Sequence, residues 1–444
     1  MIEYKAYACE IASRVNGRLS GDDCLIEAIS IDTRENVERP FCYFAIRGEN
    51  YDGHNFIEEA INNGAVLIIA EKKIDVDASV IYVENTVKAL GYLAKNTKRM
   101  AKIIGITGSV GKTTTKDLII SVLKQKYNVT GTKYNYNNEI GVALTLLSIK
   151  NEEICVLEMG ARGKGDIKWL TYISQPEIAI ITNCGKSHIE YFGSEREIFN
   201  EKIEILNENC NAIVVPNEKR FKEYEFKNTY PIFVGANGDF YFDKVRLKKS
   251  GTSGYICSKG KMILKIESKT VSKRVFENSL FAYVVGKLCS LSDSQIKRGI
   301  KSYDGTELRL EMIRIKTNTL INDTYNASYE SVLSSIDTLT EWSKIENKQP
   351  ICVLGDMLEL GNFSRECHYK IGQYCKERKV CEVYTLGKFG KDILRGYGSG
   401  NDCQTKESLT ELLKNKNNCV ILFKASRKMG FEKIVEEIKD KLNE

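Results

Sequence analysis

The chain has 444 residues and a formal net charge of +6, and 42% of its residues are hydrophobic while 28% are charged. This length is too great for one core, and the composition is that of a soluble globular protein with two or three domains. Basic and acidic residues are interspersed, so no basic stripe or tail indicates a nucleic-acid partner. The longest apolar runs, such as residues 65–70, are far shorter than the roughly 20 residues of a membrane helix, so we expect no membrane insertion.

The N-terminal sequence, MIEYKAYACEIASR, carries charges at Glu3 and Lys5 and has no apolar core, so we expect no secretory signal. The 14 cysteines are scattered singly, without a Cys-x-x-Cys pair. This pattern argues against zinc binding and against a disulfide framework, and it is typical of reduced, mostly buried thiols. We therefore expect a cytoplasmic protein.

Short apolar strands alternate with helical segments along most of the chain, which predicts an α/β protein with mostly parallel sheets. We expect three domains, at residues 1–98, 99–302 and 303–444. The predicted strands are residues 42–46, 66–70, 80–83, 103–107, 154–157, 178–182, 320–322, 351–354, 382–386 and 419–423. The predicted helices include residues 56–62, 87–97 and 276–291 and the segment after Lys112. Residues 230–275 differ, because their hairpin-like turns predict an antiparallel addition to the central domain.

Residues 104–115 read IGITGSVGKTTT, an apolar strand followed by a glycine loop and the start of a helix. Backbone N–H groups of such a loop and the positive end of the helix bind the polyphosphate of a nucleotide. We expect Lys112 to reach the β- and γ-phosphates and the Thr113 hydroxyl to bind Mg²⁺. Ile106 stands where the common spacing has its first glycine, but the Gly-Lys-Thr run favours an ATP site over an ordinary strand-turn-helix. The expected ATP-binding residues of the loop are Gly108, Ser109, Val110, Gly111, Lys112, Thr113 and Thr114.

Three residues farther along the chain could take part in the chemistry of this loop. Glu158 ends the apolar strand ICVLE and is predicted to hold Mg²⁺, directly or through water. His188 follows the next strand, where a neutral imidazole could bind a second divalent ion, although a lone histidine is usually structural. Lys202 lies on a helix beside Glu201, and the local sequence by itself favours a solvated charged face.

Polar residues also follow several other strands. Asn135 and Asn138 belong to a cluster of asparagines before an apolar helix, which they could cap, or from which they could bind a sugar or a peptide. In the third block, polar loops at residues 322–326, 355–361 and 424–430 each follow a predicted strand. Because ligand sites of α/β proteins collect at the carboxyl ends of strands, these loops indicate a binding edge.

These segments together resemble the Mur ligases, the ATP-dependent amide-forming enzymes of peptidoglycan precursor synthesis. NDTYNAS and VLGDMLELG are the most discriminating motifs, and they are most similar to the members that join D-alanyl-D-alanine to UDP-N-acetylmuramoyl-tripeptide. The Asp-Asn-Pro-Arg motif of the members that add the third peptide residue is missing. The remaining motifs, in chain order, are SIDTR, FAIRGENYDGHNFIEEAINNGA, GITGSVGKTTTK, NYNNEIGVALTLL, EMGARGKGDI, SHIEYFGS and KASRKMGFEKIV.

The resemblance implies a three-domain α/β fold with ATP and Mg²⁺ as cofactors. Its parts would be an N-terminal UDP-substrate domain, a central P-loop ATPase-type parallel sheet with a small antiparallel addition, and a Rossmann-like C-terminal domain that closes over ATP. The implied reaction proceeds through an acyl phosphate. The implied partners are two small molecules, UDP-N-acetylmuramoyl-tripeptide and D-alanyl-D-alanine, with no nucleic acid, and the protein is expected to be a monomer.

The resemblance also assigns expected roles to individual residues. The implied catalytic residues are Lys112, Glu158, His188 and Lys202, and the implied metal ligands are Thr113, Glu158, His188 and Lys202, the last as a carbamate. Asn278 would read adenine, Arg309 would reach the phosphates, and Asp323 would hold the ribose. The implied substrate-binding residues are Thr33 and Arg34 for the uridine diphosphate, Asn135 and Asn138 for the sugar-peptide part, and Asn326, Asp356, Glu359, Lys424, Ser426 and Arg427.

Two departures from the family pattern leave alternatives open. SKRVFE precedes Asn278 where Gly-x-His is usual, and Ser328-Tyr329 stands where Asn-Pro is common. The alternatives are a paralogous Mur-type amide ligase with a different amine or carboxylate substrate, and a non-enzymatic ATP-binding homologue. The expected metal and phosphate ligands are all present, which favours an active enzyme.

Overall fold

The computed structural model describes residues 1–35, 39–48, 51–97, 99–185 and 189–443. The strands are β1 (Ile2–Tyr7), β2 (Arg18–Ser20), β3 (Leu25–Ser30), β4 (Phe41–Phe44), β5 (Ala65–Ala70), β6 (Ser79–Tyr82), β7 (Lys102–Thr107), β8 (Val129–Gly131), β9 (Ile154–Glu158), β10 (Ile178–Ile181), β11 (Ala212–Pro216), β12 (Tyr230–Val234), β13 (Tyr241–Lys248), β14 (Gly251–Ser258), β15 (Lys261–Ser268), β16 (Glu311–Ile315), β17 (Asn318–Asn322), β18 (Gln349–Gly355), β19 (Glu382–Leu386), β20 (Asn401–Cys403) and β21 (Cys419–Lys424).

The α-helices are α1 (Ala8–Val15), α2 (Ile57–Asn62), α3 (Thr86–Asn96), α4 (Lys112–Leu123), α5 (Glu139–Leu147), α6 (Asp166–Ser174), α7 (Ile189–Phe192), α8 (Glu195–Ile203), α9 (Lys219–Lys222), α10 (Lys273–Glu277), α11 (Ser279–Leu288), α12 (Asp293–Ser302), α13 (Tyr329–Glu346), α14 (Ser364–Glu377), α15 (Gly390–Tyr397), α16 (Lys406–Leu413) and α17 (Phe431–Asn443). Within the described part of the chain, no helix combines the length and apolar character that crossing a bilayer requires.

The first sheet has the strand order β1-β3-β4-β5-β6-β2. Strands β3 to β6 run parallel, whereas the two edge strands are antiparallel to their neighbours. Every residue of β4 is buried, as expected for a central parallel strand covered on both faces. Helix α2 packs on this sheet, and Tyr43, Ile57, Ile68 and Val80 contribute to their common core.

The second sheet has the order β12-β11-β10-β7-β9-β8. The expectation that residues 230–275 are wholly antiparallel is wrong for their first strand, because β12 pairs in parallel with the buried β11. The apolar sequence of β12 matches that of a parallel-sheet strand rather than that of a hairpin arm. The remaining strands, β13 to β15, form the expected separate antiparallel sheet.

The third six-stranded sheet has the order β16-β17-β21-β18-β19-β20, and only its edge strand β16 is antiparallel. Helix α17 covers one face with Phe431, Ile434 and Ile438, which share a core with Phe423. Strands β17, β21 and β18 are neighbours, so the three polar loops that follow them meet at one edge of the sheet.

The contacts of the chain define two compact units. The first consists of residues 1–105, 127–179 and 204–211, and the second of residues 106–126, 180–203 and 212–444. The first unit holds the candidate residues Thr33, Arg34, Asn135, Asn138 and Glu158, and the second unit holds the other candidates that the structure describes. The site is therefore described below one unit at a time.

Candidate active site

The loop between β7 and α4 has the geometry of a phosphate-binding loop. Gly108 has a φ of +143° and Gly111 a φ of +84°, which glycine adopts without strain. A Cβ on Gly108 would lie 2.1 Å from Thr182 Oγ1, so contact as well as backbone conformation excludes a side chain there. Helix α4 begins directly after Gly111, so the positive end of its dipole lies at the loop.

The segment after β10 holds this loop in place, and sequence reasoning did not single it out. Asn183 accepts a hydrogen bond from the Val110 N–H at 2.9 Å and donates one to the Val110 carbonyl oxygen at 2.8 Å. Thr182 Oγ1 donates to the same carbonyl oxygen at 2.7 Å. Ser109 Oγ bonds to both backbone groups of Gly185. The available signal was a pair of polar residues directly after an apolar strand, the same signal that marked Glu158.

Lys112 and Thr113 open helix α4 on the loop. Lys112 Nζ donates to the Gly108 carbonyl oxygen at 2.7 Å, which keeps the ammonium group over the loop. Thr113 Oγ1 accepts a hydrogen bond from Arg309 Nη2 at 3.0 Å. The structure therefore brings Arg309, which the resemblance assigned to the phosphates, onto the predicted phosphate loop.

Arg309 lies in a strained segment of backbone. Leu308 and Leu310, on either side, have φ values of 57° and 52°, a left-handed conformation that costs a bulky residue on the order of 1–2 kcal/mol. The Arg309 guanidinium carbon lies 4.1 Å from the centre of the Tyr325 ring. Arg309 Nε is buried and has no hydrogen-bond partner among the described residues. The guanidinium thus retains a desolvated donor for an anionic ligand.

Asp323 and Lys424 form a buried ion pair at the ends of β17 and β21. Lys424 Nζ lies 2.7 Å from Asp323 Oδ2 and also donates to the Asn326 carbonyl oxygen at 2.9 Å. Ser335 Oγ donates to Asp323 Oδ2 at 2.5 Å. Burial lowers the pKa of Lys424, while the Asp323 carboxylate opposes that change. Two residues expected to contact different substrates are therefore one electrostatic unit.

The loop after β18 is held by its own side chains and by neighbouring loops. Both carboxylate oxygens of Asp356 accept backbone N–H groups, Oδ1 from Phe389 at 2.9 Å and Oδ2 from Lys388 at 2.8 Å. Ser426 Oγ accepts from the Leu358 N–H at 2.8 Å. Asp356 and Ser426, both expected to bind substrate, thus also fix the backbone of the binding edge.

His368 also holds the backbone of the loop after β18, and it was not among the residues identified from the sequence. The ring is fully buried, and its Nε2 accepts from the Met357 N–H at 2.9 Å. Its Nδ1 lies 2.6 Å from the Ser364 carbonyl oxygen, which requires a proton on Nδ1. Burial lowers the pKa of His368, so the neutral ring that can accept at Nε2 is favoured.

The two other candidates at this edge are more accessible. Glu359 is half-buried with a φ of 68°. Arg427 is half-exposed and lies 3.6 Å from Glu432, and its guanidinium carbon is 5.9 Å from the Tyr325 ring centre. Tyr325 therefore lies near two arginine side chains, Arg309 and Arg427.

Asn278 lies between α10 and α11, so the helix expected over residues 276–291 is confirmed as α11, with a later start and an earlier end, and a break at Asn278 separates it from α10. The Asn278 side-chain amide lies 3.2 Å from the position of a Cβ on Gly111, which places it beside the phosphate loop. The SKRVFE segment before Asn278, which departs from the family pattern, contacts helix α13. Ser272 Oγ accepts from Thr338 Oγ1 at 3.0 Å, and Lys273 Nζ lies 2.6 Å from Glu341 Oε1.

In the first unit, Glu158 is buried at the end of β9. Its Oε1 accepts from Asn137 Nδ2 at 2.9 Å, and its backbone N–H donates to Thr132 Oγ1 at 2.9 Å. Asn138 caps α5, because its Oδ1 accepts from the Gly141 N–H at 3.0 Å. Asn135 is exposed on the same loop.

The expected uridine diphosphate residues lie on the turn after β3. Thr33 is buried, and its carbonyl oxygen accepts from Asn63 Nδ2 at 2.8 Å. The Arg34 side chain is 86% exposed and bonds to Asp32, Nε to Oδ1 at 2.9 Å and Nη2 to Oδ2. Arg34 lowers the pKa of Asp32 to about 2, so the carboxylate stays ionised and holds the guanidinium in place.

Lys202 and His188 complete the candidate set. The interpretation of Lys202 as part of a solvated face is wrong, because its side chain is only 2% exposed, and its neighbour Glu201 is also buried. Lys202 Nζ lies 6.0 Å from the centre of the Phe192 ring. His188 lies outside the described residues.

The donor chemistry of the site fits a nucleotide and Mg²⁺. In the second unit, the hydroxyl of Thr113 is a hard oxygen donor of the type that Mg²⁺ prefers; in the first unit, the carboxylate of Glu158 has the same chemistry. The buried Nε of Arg309 offers a donor to a phosphate oxygen. Within the described ranges no cluster of three histidine, cysteine or carboxylate side chains forms a metal site by itself.

Comparison with known proteins places the whole chain in one family. Three family models match in succession: the Mur ligase family catalytic domain at residues 26–104, the Mur ligase middle domain at residues 106–286, and the Mur ligase glutamate ligase domain at residues 308–427. The UDP-N-acetylmuramoyl-tripeptide--D-alanyl-D-alanine ligase of Bacillus subtilis is 33% identical, with 96% of this chain and 97% of the relative covered. The enzyme of that name from Escherichia coli is 29% identical, with 97% and 98% covered.

Solved structures give the same result. A crystal structure of MurF from Acinetobacter baumannii matches with a TM-score of 0.90 at 25% identity, covering 99% of this chain and 100% of the other. MurF ligase from Thermotoga maritima, crystallised in complex with ADP, matches with a TM-score of 0.85 at 28% identity, covering 94% and 97%. The fold, the motifs and the length of the match agree, and this chain belongs to the Mur ligase family.

Proposed function

We propose that this protein is an ATP-dependent ligase that joins D-alanyl-D-alanine to UDP-N-acetylmuramoyl-tripeptide, which yields the pentapeptide precursor of peptidoglycan. The observation that carries the proposal is the relationship to ligases of that name along nearly the whole chain, at 33% identity. The site supports it, because Arg309 and Asn278 both lie against the phosphate loop.

In the proposed reaction, the terminal carboxylate of the tripeptide attacks the γ-phosphorus of ATP. The bond to the bridging oxygen breaks, ADP leaves, and an acyl phosphate remains. The amine of the dipeptide then attacks the acyl carbon, the amide bond forms, phosphate leaves with its oxygen, and the nitrogen loses a proton. Lys112 and Arg309 are cations placed at the loop, and they offset the negative charge that develops on the phosphates.

Mg²⁺, when bound, supplies further neutralisation of phosphate charge. We assign the first ion to Thr113 and Glu158, and the second to His188 and a carbamate on Lys202. The burial of Lys202 supports a modified side chain, because a carbamate would convert a buried cation into an oxygen ligand.

The Asp323–Lys424 pair and the loop after β18 lie at the carboxyl ends of the strands of the third six-stranded sheet. We propose that they form a rigid wall of the dipeptide-binding site. Asn326, Glu359 and Arg427 have exposed or half-exposed side chains, so they are the residues that we expect to touch it. Asp356, Lys424 and Ser426 would act mainly by fixing the wall, because their polar atoms are already engaged with protein groups.

The test is phosphate release from ATP and Mg²⁺ with UDP-N-acetylmuramoyl-tripeptide, with and without D-alanyl-D-alanine. The expected result is phosphate release that needs both substrates, together with a product that is heavier by one D-alanyl-D-alanine unit. Release that ignores the dipeptide would indicate a Mur-type ligase with another amine. Nucleotide binding without any release would favour a non-enzymatic homologue.

We further propose that the protein works as a cytoplasmic monomer on small molecules, without a nucleic-acid partner. Its substrates are soluble nucleotides and peptides, and its cysteines are free thiols, which supports a reducing compartment. Light scattering on the purified protein and fractionation of cells that produce it would test these points. A stable dimer or a membrane-bound pool would contradict them.

A further inference from the structure

A four-residue turn, residues 306–309, lies between helix α12 and strand β16 and ends on Arg309. We call it the arginine turn. The Arg309 N–H donates to the Thr306 carbonyl oxygen at 3.1 Å, which closes the turn. Leu308, its third residue, has a φ of 57°, at a position where such turns usually carry glycine or asparagine. A bulky residue keeps this conformation only where its surroundings fix the backbone.

Both ends of the arginine turn bond to the same face of helix α4. Thr306 Oγ1 donates to Asp117 Oδ2 at 2.7 Å, and Arg309 Nη2 donates to Thr113 Oγ1 at 3.0 Å. Thr113 and Asp117 are four positions apart in α4, so they lie one above the other on the helix surface. The turn is therefore attached at two points to the helix that follows the phosphate loop.

A third side chain fixes the orientation of the Thr306 hydroxyl. Tyr303 Oη lies 2.9 Å from Thr306 Oγ1. The one hydroxyl proton of Thr306 goes to the Asp117 carboxylate, so Tyr303 must donate to Thr306. Tyr303 is buried, and burial raises its pKa to about 12 against the opposing effect of the hydrogen bond to Thr306. The phenol therefore keeps its proton at neutral pH, and the hydrogen bonds run from Tyr303 through Thr306 to Asp117.

The opposite side of the arginine turn contacts Tyr325, which follows strand β17. The Tyr325 N–H donates to the Leu308 carbonyl oxygen at 3.2 Å. Its ring lies 4.1 Å from the guanidinium carbon of Arg309. A guanidinium group stacked on a ring keeps its in-plane N–H groups available to a ligand. Tyr325 thus supports the arginine without occupying the donors that a phosphate would need.

The two attachments to α4 differ in what happens to them when a nucleotide binds. The Thr113 hydroxyl is a proposed Mg²⁺ ligand, so its bond to Arg309 competes with the ion. The Thr306–Asp117 bond uses no atom that we assign to a ligand. Once Mg²⁺ is bound, this second bond is the attachment that still holds the arginine turn on α4.

We propose that Thr306 and Asp117 are positioning residues, which hold Arg309 at the phosphates of ATP while Thr113 binds Mg²⁺. The inference rests on the proposed function, in which Arg309 acts at the nucleotide, and deepens it. Neither residue is proposed to touch ATP, and both act through Arg309.

The decisive variant is Thr306→Val, which keeps the shape of the side chain and removes the donor to Asp117. Calorimetry with ATP and Mg²⁺, without any peptide substrate, measures the effect. The dissociation constant of ATP is expected to rise about fivefold, whereas Thr306→Ser, which keeps the hydroxyl, should stay within about twofold of the parent. An unchanged dissociation constant in Thr306→Val would overturn the inference.

A double-mutant cycle shows whether the hydroxyl acts through Arg309. In an Arg309→Ala protein, the further change Thr306→Val is expected to alter the dissociation constant of ATP by less than about twofold. A second fivefold loss in that background would overturn the inference, because the hydroxyl would then affect ATP without the arginine.

Ser121→Ala is the matched control for loss of a hydrogen bond. Ser121 lies farther along α4, and its Oγ donates to the Gly299 carbonyl oxygen of α12 at 2.7 Å. Ser121→Ala and Thr306→Val are both expected to lower the melting temperature by roughly 1–3 °C, but only Thr306→Val should weaken ATP binding. Equal weakening in Ser121→Ala would overturn the inference, since looser packing of the segment on α4 would then explain both results.

The same binding data separate this inference from the proposed ligase reaction. Weaker ATP binding in Thr306→Val, absent from the Ser121→Ala control and from the Arg309→Ala background, supports the inference even where D-alanyl-D-alanine is not the amine. Equal ATP binding by Thr306→Val and the parent overturns the inference even where that reaction is established. Absence of ATP binding by the parent protein overturns both.

Discussion

Arg309 Nη2 donates a hydrogen bond to the hydroxyl of Thr113 at 3.0 Å, and this bond joins residues 196 positions apart in the chain. Thr113 opens the helix after the phosphate loop, and Arg309 lies just before β16. The same hydroxyl is proposed to bind Mg²⁺. We therefore expect nucleotide binding to turn the guanidinium from Thr113 towards a phosphate, since Nε already lacks an acceptor among the described residues.

Replacement of Arg309 by alanine is expected to lower kcat/KM for ATP by about 100-fold, because a desolvated cation at the phosphates is lost. The dissociation constant of the UDP substrate should change by less than about twofold in the same variant. Arg314→Ala is the matched control, because that side chain is 65% exposed and lies on the neighbouring strand β16. Equal losses for both substrates would argue against a role of Arg309 at the nucleotide.

Replacement of Lys424 by methionine should destabilise the protein by about 3 kcal/mol, because it leaves the Asp323 carboxylate buried without its partner. Urea unfolding of the parent and the variant measures this difference. A second change, Asp323→Asn, made in the same chain should recover part of the loss. Lys439→Ala, at a solvent-exposed ion pair, should change stability by less than about 0.5 kcal/mol. A Lys424→Met protein as stable as the parent would mean that the pair contributes little.

Stability is expected to fall below about pH 6.5 because of His368. Its pKa is lowered from an ordinary value of 6.5 by burial, against the opposing effects of Asp356 and Asp392. Below about pH 6.5 the unfolded chain binds a proton at this histidine that the folded chain does not yet bind. The stabilisation by the neutral buried ring is therefore complete above pH 6.5 and is lost as pH falls through the folded-state pKa. In His368→Gln, whose amide oxygen can still accept from the Met357 N–H, urea midpoints between pH 5 and pH 7 should vary less. An unchanged pH profile would rule out His368 as the cause.

The contacts between the SKRVFE segment and helix α13 should differ in strength. Ser272 and Thr338 are both buried, so Thr338→Val is expected to cost about 1 kcal/mol, as it removes the donor to a buried hydroxyl. The side chains of Lys273 and Glu341 are 43% and 34% exposed, so Lys273→Ala should cost at most about 0.5 kcal/mol. Equilibrium unfolding of the two variants tests this order, and a larger loss for Lys273→Ala would reverse it.

Lys202 is expected to carry a carbamate in the active enzyme. Protein equilibrated with ¹³C-labelled bicarbonate should show a carbamate carbon signal that is missing from Lys202→Gln, and activity of that variant should fall by at least about 100-fold. Lys219→Ala is the control, because that side chain is 86% exposed on the nearby helix α9. An identical carbon spectrum for the parent and Lys202→Gln would place the modification elsewhere or exclude it.

Local features of the site could be predicted from the sequence, whereas its long-range partners could not. The phosphate loop follows from a strand, two glycines and a Gly-Lys-Thr run that are continuous in the chain. The Asn138 cap was one of two open interpretations, and the structure shows it. Thr182 and Asn183 act on the loop only because β10 and β7 are neighbours in the sheet, and strand order is not encoded in a local pattern.

Burial of charged residues was the hardest property to predict. Lys202 lies on a helix with charged neighbours, a pattern typical of a solvated face, but the tertiary fold buries both it and Glu201. Lys424 and Asp323 were each identified as polar residues at strand ends, but their mutual ion pair depends on β17 and β21 lying side by side. The strand β12 was misassigned for the same reason, since its partner β11 decides its direction.

The order in which the chain is synthesised sets a limit on when ATP can assist folding. The phosphate loop lies in residues 106–126, but its compact unit also requires residues 180–203 and 212–444. At ribosomal rates of about 5–20 residues per second, the remainder of the chain takes tens of seconds to follow the loop. At the start of that interval the nascent loop lacks Asn183, Asn278 and Arg309, and these residues are then synthesised in that order. We therefore expect ATP to stabilise the finished protein more than a chain that is truncated before Asn183, because such a chain lacks the side chain that bonds to both backbone groups of Val110 in the loop.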